Sequence, residues 1–198
     1  YGAQESPFAV IVSNLSPAEG TVSVSVKSGP QGEVEELTSA VLEPGALHVF
    51  DLPSRQPGGS GVGWWGYHIE ATIQIVAYQF NPLDNVDVFS NDASLLLPEN
   101  TLGTEYRGFS MPEYLGTGPS TPPGGACADV CDGLDGGTCL VDPNQCLLPY
   151  RGFVTVMAVA DNTQVSITSS SVTQAGPGLD AMSPGQAQEV TLQAYQVL

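Results

Sequence analysis

Residues 21–27 alternate without a break, with Val22, Val24 and Val26 falling on one side and Ser23, Ser25 and Lys27 on the other. This is the two-residue period of a strand with one buried and one wet face. No stretch of about 12 residues carries a convincing 3.6-residue period, and the one helical candidate is a single turn near 92–97, capped by Asn91 or Asp92. The chain is therefore expected to be all-β. Its 23 glycines and 16 prolines belong in turns, because a sequence that is 41% hydrophobic with clear strand patterns is not that of a disordered chain.

Other strands are legible by the same rules. Residues 8–12 form a continuous apolar run bounded by Pro7 and Ser13-Asn14, the mark of a strand buried on both faces. Pro44-Gly45 turns the chain into a third strand over 46–52, a flexible Gly-rich loop spans 57–63, and strands over 67–71 and 73–80 follow. Residues 78–98 then read as strand, corner, strand, corner: Tyr78, Phe80, Val86, Val88 and Phe89 suit half-buried strands, whereas Asn81-Pro82 and Ser90-Asn91-Asp92 are turn chemistry.

Residues 152–198 repeat the plan in order of elements. The apolar run 153–159 corresponds to the strand at Phe8, and 164–168, with Val165 and Ile167 inward, corresponds to the alternating strand. Ser183-Pro184-Gly185 stands where Glu43-Pro44-Gly45 stood, with a third strand over 190–198. Tyr106-Arg-Gly-Phe109 also recurs as Tyr150-Arg-Gly-Phe153. The expected architecture is thus a first β module over 1–98, a connection over 99–151 and a second β module over 152–198. The modules are expected to be tandem antiparallel β-sandwiches, with blades of a β-propeller as the alternative. The apolar run up to Leu198 has no turn after it, which predicts that the native chain continues. A start at Tyr1 is compatible with a removed export signal.

The connection differs in kind. Between 116 and 145 Pro, Gly and Asp dominate, and Cys127, Cys131, Cys139 and Cys146 cluster as C-x3-C-x7-C-x6-C. An even cluster in a chain of secreted character reads as two disulfides, and of the three pairings Cys127 with Cys139 and Cys131 with Cys146 is preferred. Each would close a loop short enough to contribute roughly 3 kcal/mol to a segment without a core. Zinc is the rival reading, weakened by the absence of C-x2-C knuckles. Asp129, Asp132, Asp135 and Asp142 lie among the cysteines, and Asp132-Gly-Leu-Asp135-Gly-Gly supplies the oxygen ligands and tight turns that calcium favours, although it departs from the EF-hand pattern and also suits a solvated acidic turn.

Four Lys+Arg against 21 Asp+Glu give a formal charge of −17, which repels nucleic acids and anionic lipid surfaces. No apolar run of about 18 residues exists to insert into a membrane as a helix. Gly61-Val-Gly-Trp-Trp-Gly66 matches a dinucleotide-binding pattern by letter only, since no helix follows it. Trp64 and Trp65 are instead candidates for an aromatic binding patch, or for one ring inward and one outward on a strand edge. Lys27, the sole lysine, lies on the wet face of its strand, which argues against the burial that an isopeptide bond needs. His48 and His68 are the only histidines, and neither belongs to a nucleophile or metal motif. A pair of carboxylates for glycoside hydrolysis has no nominee in the sequence.

Residues 8–14, 75–83, 89–98 and 152–168, with Ala77-Tyr-Gln-Phe-Asn-Pro-Leu83 and Ser90-Asn-Asp-Ala-Ser-Leu-Leu-Leu-Pro98 as their longest motifs, resemble the family of the N-terminal domain of IgGFc-binding protein, which includes secreted bacterial relatives. The resemblance implies an extracellular or cell-surface module, structural or adhesive, that works by contact with other extracellular proteins, glycans or copies of itself. It carries no catalytic signature and requires no cofactor; calcium is the one ion for which residues are nominated. Immunoglobulin binding is not implied, because no residue here is known to carry it. The alternative of a different class is a secreted hydrolase acting on glycan or peptide through a carboxylate pair.

Overall fold

A computed structural model describes residues 7–29, 32–55, 57–84, 92–110, 114–117, 147–150 and 152–198. The fold is all-β, as its alternation requires. Four strands, β1 (Phe8–Asn14), β4 (Leu47–Leu52), β6 (Ile75–Asn81) and β7 (Asp92–Leu96), form an antiparallel sheet in the order β4-β1-β6-β7. A second sheet sets β2 (Gly20–Lys27) between β3 (Val34–Leu42) and β5 (Tyr67–Ala71). The two sheets share one core: Val10, Val12, Phe50, Leu52 and Ala77 of the first are clustered with Val22, Val24 and Leu42 of the second. A common core between two sheets is a sandwich, not a run of propeller blades. The alternating valines are its centre, with Val22 and Val24 fully buried.

The chain divides into two compact units, one of 104–154 and one of Gly2–Gly103 with Thr155–Leu198. Within the first, β8 (Tyr114–Thr117) pairs antiparallel with β9 (Leu147–Tyr150). Within the second, β10 (Thr163–Thr168) and β11 (Ala187–Leu192) make a hairpin whose Val190 and Leu192 pack with Ala158. The Gly-rich loop is tied to this part of the chain: Val62 N–H donates to the Pro177 carbonyl (2.7 Å), and Gly63 and Val197 exchange backbone hydrogen bonds of 2.9 and 2.8 Å.

Several sequence expectations are corrected. Residues 92–96 are strand, not a helical turn, because Tyr78 and Ala77 of β6 pair with Leu95 and Leu96 and so satisfy the backbone laterally. The helical turn that does form is a 3-10 turn at Glu99–Thr101, just beyond. Strand β3 went unread because Leu37 is a bulge: Val24 faces Thr38 while Ser25 faces Glu36, so the two-residue phase breaks inside the strand. The apolar run 153–159 is not a continuous strand: Met157 bridges Val197, and Val156 and Ala158 on either side hydrogen-bond to Leu198, Gln196 and Tyr195. The final strand stops at Leu192; the chain turns, with Gln196 N–H donating to the Gln193 carbonyl (2.9 Å), and Leu198 comes back to exchange hydrogen bonds with Val156. The strand expected from Val86, Val88 and Phe89 lies outside the described residues.

The repeat is real for the hairpin, but its partners differ from those expected from the sequence. It is β10 and β11 that copy β1 and β4. Phe8 faces Leu52 and Ser13 faces Leu47, as Thr163 faces Leu192 and Thr168 faces Ala187. The accessibility along β4 and β11 is the same residue by residue, with the fourth and sixth positions buried.

Candidate functional site

Alternation that turns Val10, Val12, Phe50 and Ala77 into the core turns their neighbours outward. On the outer face of β4-β1-β6-β7 the register brings Val49, Ile11, Tyr78 and Leu95 into one row across all four strands. Leu47, Ser13 and Val76 form the row on one side, and Asp51, Ala9, Phe80 and Ala93 the row on the other, where Ala9 is itself fully buried and so not part of the open surface. Leu47, Tyr78 and Leu95 are 64%, 42% and 52% exposed. Asp51 is the only acidic or basic residue in the three rows. Apolar side chains that line up across a whole sheet and remain open to water mark a contact surface.

A second feature is a pocket of about 200 Å³ lined by His68, Glu99, Met157, Ala158, Val159 and Tyr195. His68 comes from β5, Glu99 from the 3-10 turn after β7, and the others from the two segments that bridge near the chain end. His68 Nε2 lies 3.4 Å from Glu99 Oε1, and the Tyr195 ring meets the His68 ring edge-on at 5.5 Å. Tyr195 has φ 71°, a left-handed conformation that is costly for an aromatic residue. Its backbone is held there from both sides: its N–H donates to the Ala158 carbonyl (2.9 Å) and its carbonyl accepts from Gly66 N–H (3.3 Å). Its hydroxyl lies 3.5 Å from Ser25 Oγ. Glycine at 66 suits this approach, since a Cβ there would come within 2.8 Å of the Tyr195 backbone carbonyl oxygen.

Trp64 and Trp65 are both half-buried. Trp65 folds over Gly63. Trp64 receives Lys27, whose Nζ stands 5.0 Å from the ring centroid and 4.0 Å from Asp161 Oδ1. The Lys27 side chain is only 15% exposed, which corrects its placement on a wet face: the turn carrying Asp161 covers that end of β2. Arg55 donates to the backbone carbonyls of Lys27 and Trp64 and lies over the Tyr67 ring at 5.7 Å. Burial pushes the Tyr67 hydroxyl above the usual phenol range, and the Arg55 charge opposes this. Tyr67 donates to the Pro53 carbonyl and stacks on Phe8. Both cations of this unit are thus engaged within the fold.

The carboxylate pair that the sequence did not nominate is Glu19 and Glu43. The hydrogen bond that a protonated Glu43 donates to Glu19 first, and the Glu19 charge second, raise the Glu43 carboxyl above its ordinary value, and the group is fully exposed. The four cysteines, and with them Asp129, Asp132, Asp135 and Asp142, lie outside the described residues. Among the described residues no three His, Cys, Asp or Glu side chains gather as metal ligands. His68 was visible as one of two histidines, but nothing local pointed to Glu99 or Tyr195 as its neighbours.

A family model described as IgGFc binding protein matches residues 92–198, just over half of the chain. The matched span begins at β7 and includes every pocket residue except His68. No curated protein and no solved structure matches the chain.

Proposed function

From the premise that the chain belongs to the IgGFc binding protein family, we propose that it is an extracellular, non-catalytic binding module of a larger secreted or surface protein. The observation that carries this reading is the row of Val49, Ile11, Tyr78 and Leu95 across the outer sheet face. Its occupant is a protein surface that is apolar at its centre and basic at its rim. Charge selects that partner: the chain carries −17, and the two cations of the sandwich unit are already held by Trp64, Asp161 and backbone carbonyls. An acidic body steers basic partners toward itself and keeps its own copies apart.

Catalysis finds less support. Glu43 stands on open surface beside Glu19, where water screens its charge.

The test uses the full chain and a peptide of alternating leucine and lysine, which presents one apolar and one basic face when extended. Saturable binding is expected, with loss in Tyr78→Glu at unchanged melting temperature and no binding of a leucine-glutamate peptide. Since Tyr78→Glu adds negative charge, equal or tighter binding by the variant would reduce the effect to bulk attraction and remove the docking face. Self-association in sedimentation equilibrium that Tyr78→Glu abolishes would replace the basic partner by a second copy. Turnover of a glycan or peptide lost in Glu43→Gln would replace the reading by the hydrolase.

A further inference from the structure

The geometry points to the pocket of His68, Glu99, Met157 and Tyr195 as a receptor for one cationic side chain, an ammonium or guanidinium, of a docked protein. For the source of that cation it rests on the contact reading above. The strongest argument is inside the molecule. Lys27 is held between an aromatic face, Trp64 at 5.0 Å, and a carboxylate, Asp161 at 4.0 Å. The pocket presents the same two elements, the Tyr195 ring and the Glu99 carboxylate, and neither lysine nor arginine lines it.

The remaining walls fit the rest of such a side chain. Met157, Ala158 and Val159 offer apolar surface to a methylene stem, while Glu99, with 57% of its side chain exposed, meets the charged head where water still reaches it. A volume of about 200 Å³ is smaller than the pockets that enclose whole drug-sized ligands and suits a single side chain. The pocket is also rigid where it matters. Tyr195 is fixed at positive φ by two backbone hydrogen bonds, and its ring packs on His68, which in turn faces Glu99. Anions are disfavoured by Glu99 and by the charge of the whole chain. A metal ion would find one carboxylate and one imidazole, too few for a protein site.

The probe is N-acetyl-lysine methylamide, titrated into the full chain with methyl-labelled methionine and followed by NMR. The Met157 methyl is expected to shift saturably while the buried Met182 methyl stays in place. The uncharged N-acetyl-norleucine methylamide should bind about fivefold more weakly, and Glu99→Gln should weaken the lysine compound by a similar factor. Glu99 is exposed, so the variant is expected to fold, and an unchanged methyl spectrum before titration verifies it. Equal binding of the norleucine compound would make the pocket an apolar slot, and an unmoved Met157 methyl with either compound would remove the receptor. Because the free amine needs no docked partner, its binding here with no binding of the leucine-lysine peptide would instead count against the contact face alone.

Discussion

Gly45 and Gly185 stand at the same point of two copies of one turn. Their φ angles are 74° and 80°, and their N–H groups donate to the Asn14 and Ser169 carbonyls at 3.1 and 2.7 Å. In each copy the turn closes with a hydrogen bond across Pro-Gly, Ala46 to Glu43 at 3.0 Å and Gln186 to Ser183 at 2.9 Å. The side chains at the end of the preceding strand are equivalent too: Asn14 Oδ1 accepts from Ser16 N–H, and Ser169 Oγ accepts from Ser171 N–H.

Replacing either glycine by alanine forces a Cβ into left-handed backbone, although neither Cβ would meet a neighbouring atom. The cost is therefore conformational, about 1–2 kcal/mol for each. Gly45→Ala and Gly185→Ala are expected to lower the urea midpoint of their unit by similar amounts, with the asparagine variants milder.

The equivalent strand-end residues differ in burial, and their variants should diverge. Asn14 is 1% exposed and donates to the carbonyls of Ala18 and Leu42, both at 2.9 Å, while accepting from Ser16. Asn14→Ala leaves these groups without their partner and is expected to cost about 2–4 kcal/mol by denaturant unfolding. Ser169→Ala, where water can take over, should cost about 0.5 kcal/mol or less.

Glu43 supplies a pH dependence with a definite sign. Its folded-state carboxyl is raised by Glu19, so between the unfolded and folded pKa values the native chain holds more proton than the unfolded one. The stability this pair contributes is fully present below the unfolded value and is lost as pH rises through the folded one. Thermal melts of Glu43→Gln across the acid range should show a weaker decline with rising pH than the parent, and its melting temperature at neutral pH should equal or exceed the parent's. An identical pH profile for both would deny the contact between the two carboxyls.

The cysteines are expected to be oxidised. Alkylation without reductant should add no label at Cys127, Cys131, Cys139 or Cys146, as read by intact mass, whereas four labels would favour zinc. Calcium binding in the same segment, the companion proposal, should raise the melting temperature, and Asp132→Asn with Asp135→Asn should abolish that rise.

Much of the sandwich was legible because its strands obey short-range rules. The valines of β2 alternate, β1 is a bounded apolar run, and both Pro-Gly turns are where their letters put them. The bulge at Leu37 hid β3, since a period cannot be read through a change of phase. The segment before Leu97 carried cap and turn chemistry that suits a helix, and the β6 edge outweighed it. Of the pocket, only His68 stood out, and only by scarcity.

The sequence by itself determined the all-β class, the inward set of valines and the geometry of the two Pro-Gly turns, because side-chain period and turn chemistry act within a few residues. Tertiary structure alone decided that β10 and β11 copy β1 and β4, that the turn at Asp161 covers Lys27, and that His68, Glu99 and Tyr195 converge. Those outcomes depend on which backbone edges find each other across long stretches of chain, and the hydrogen bonds that join them are the same whatever the side chains are.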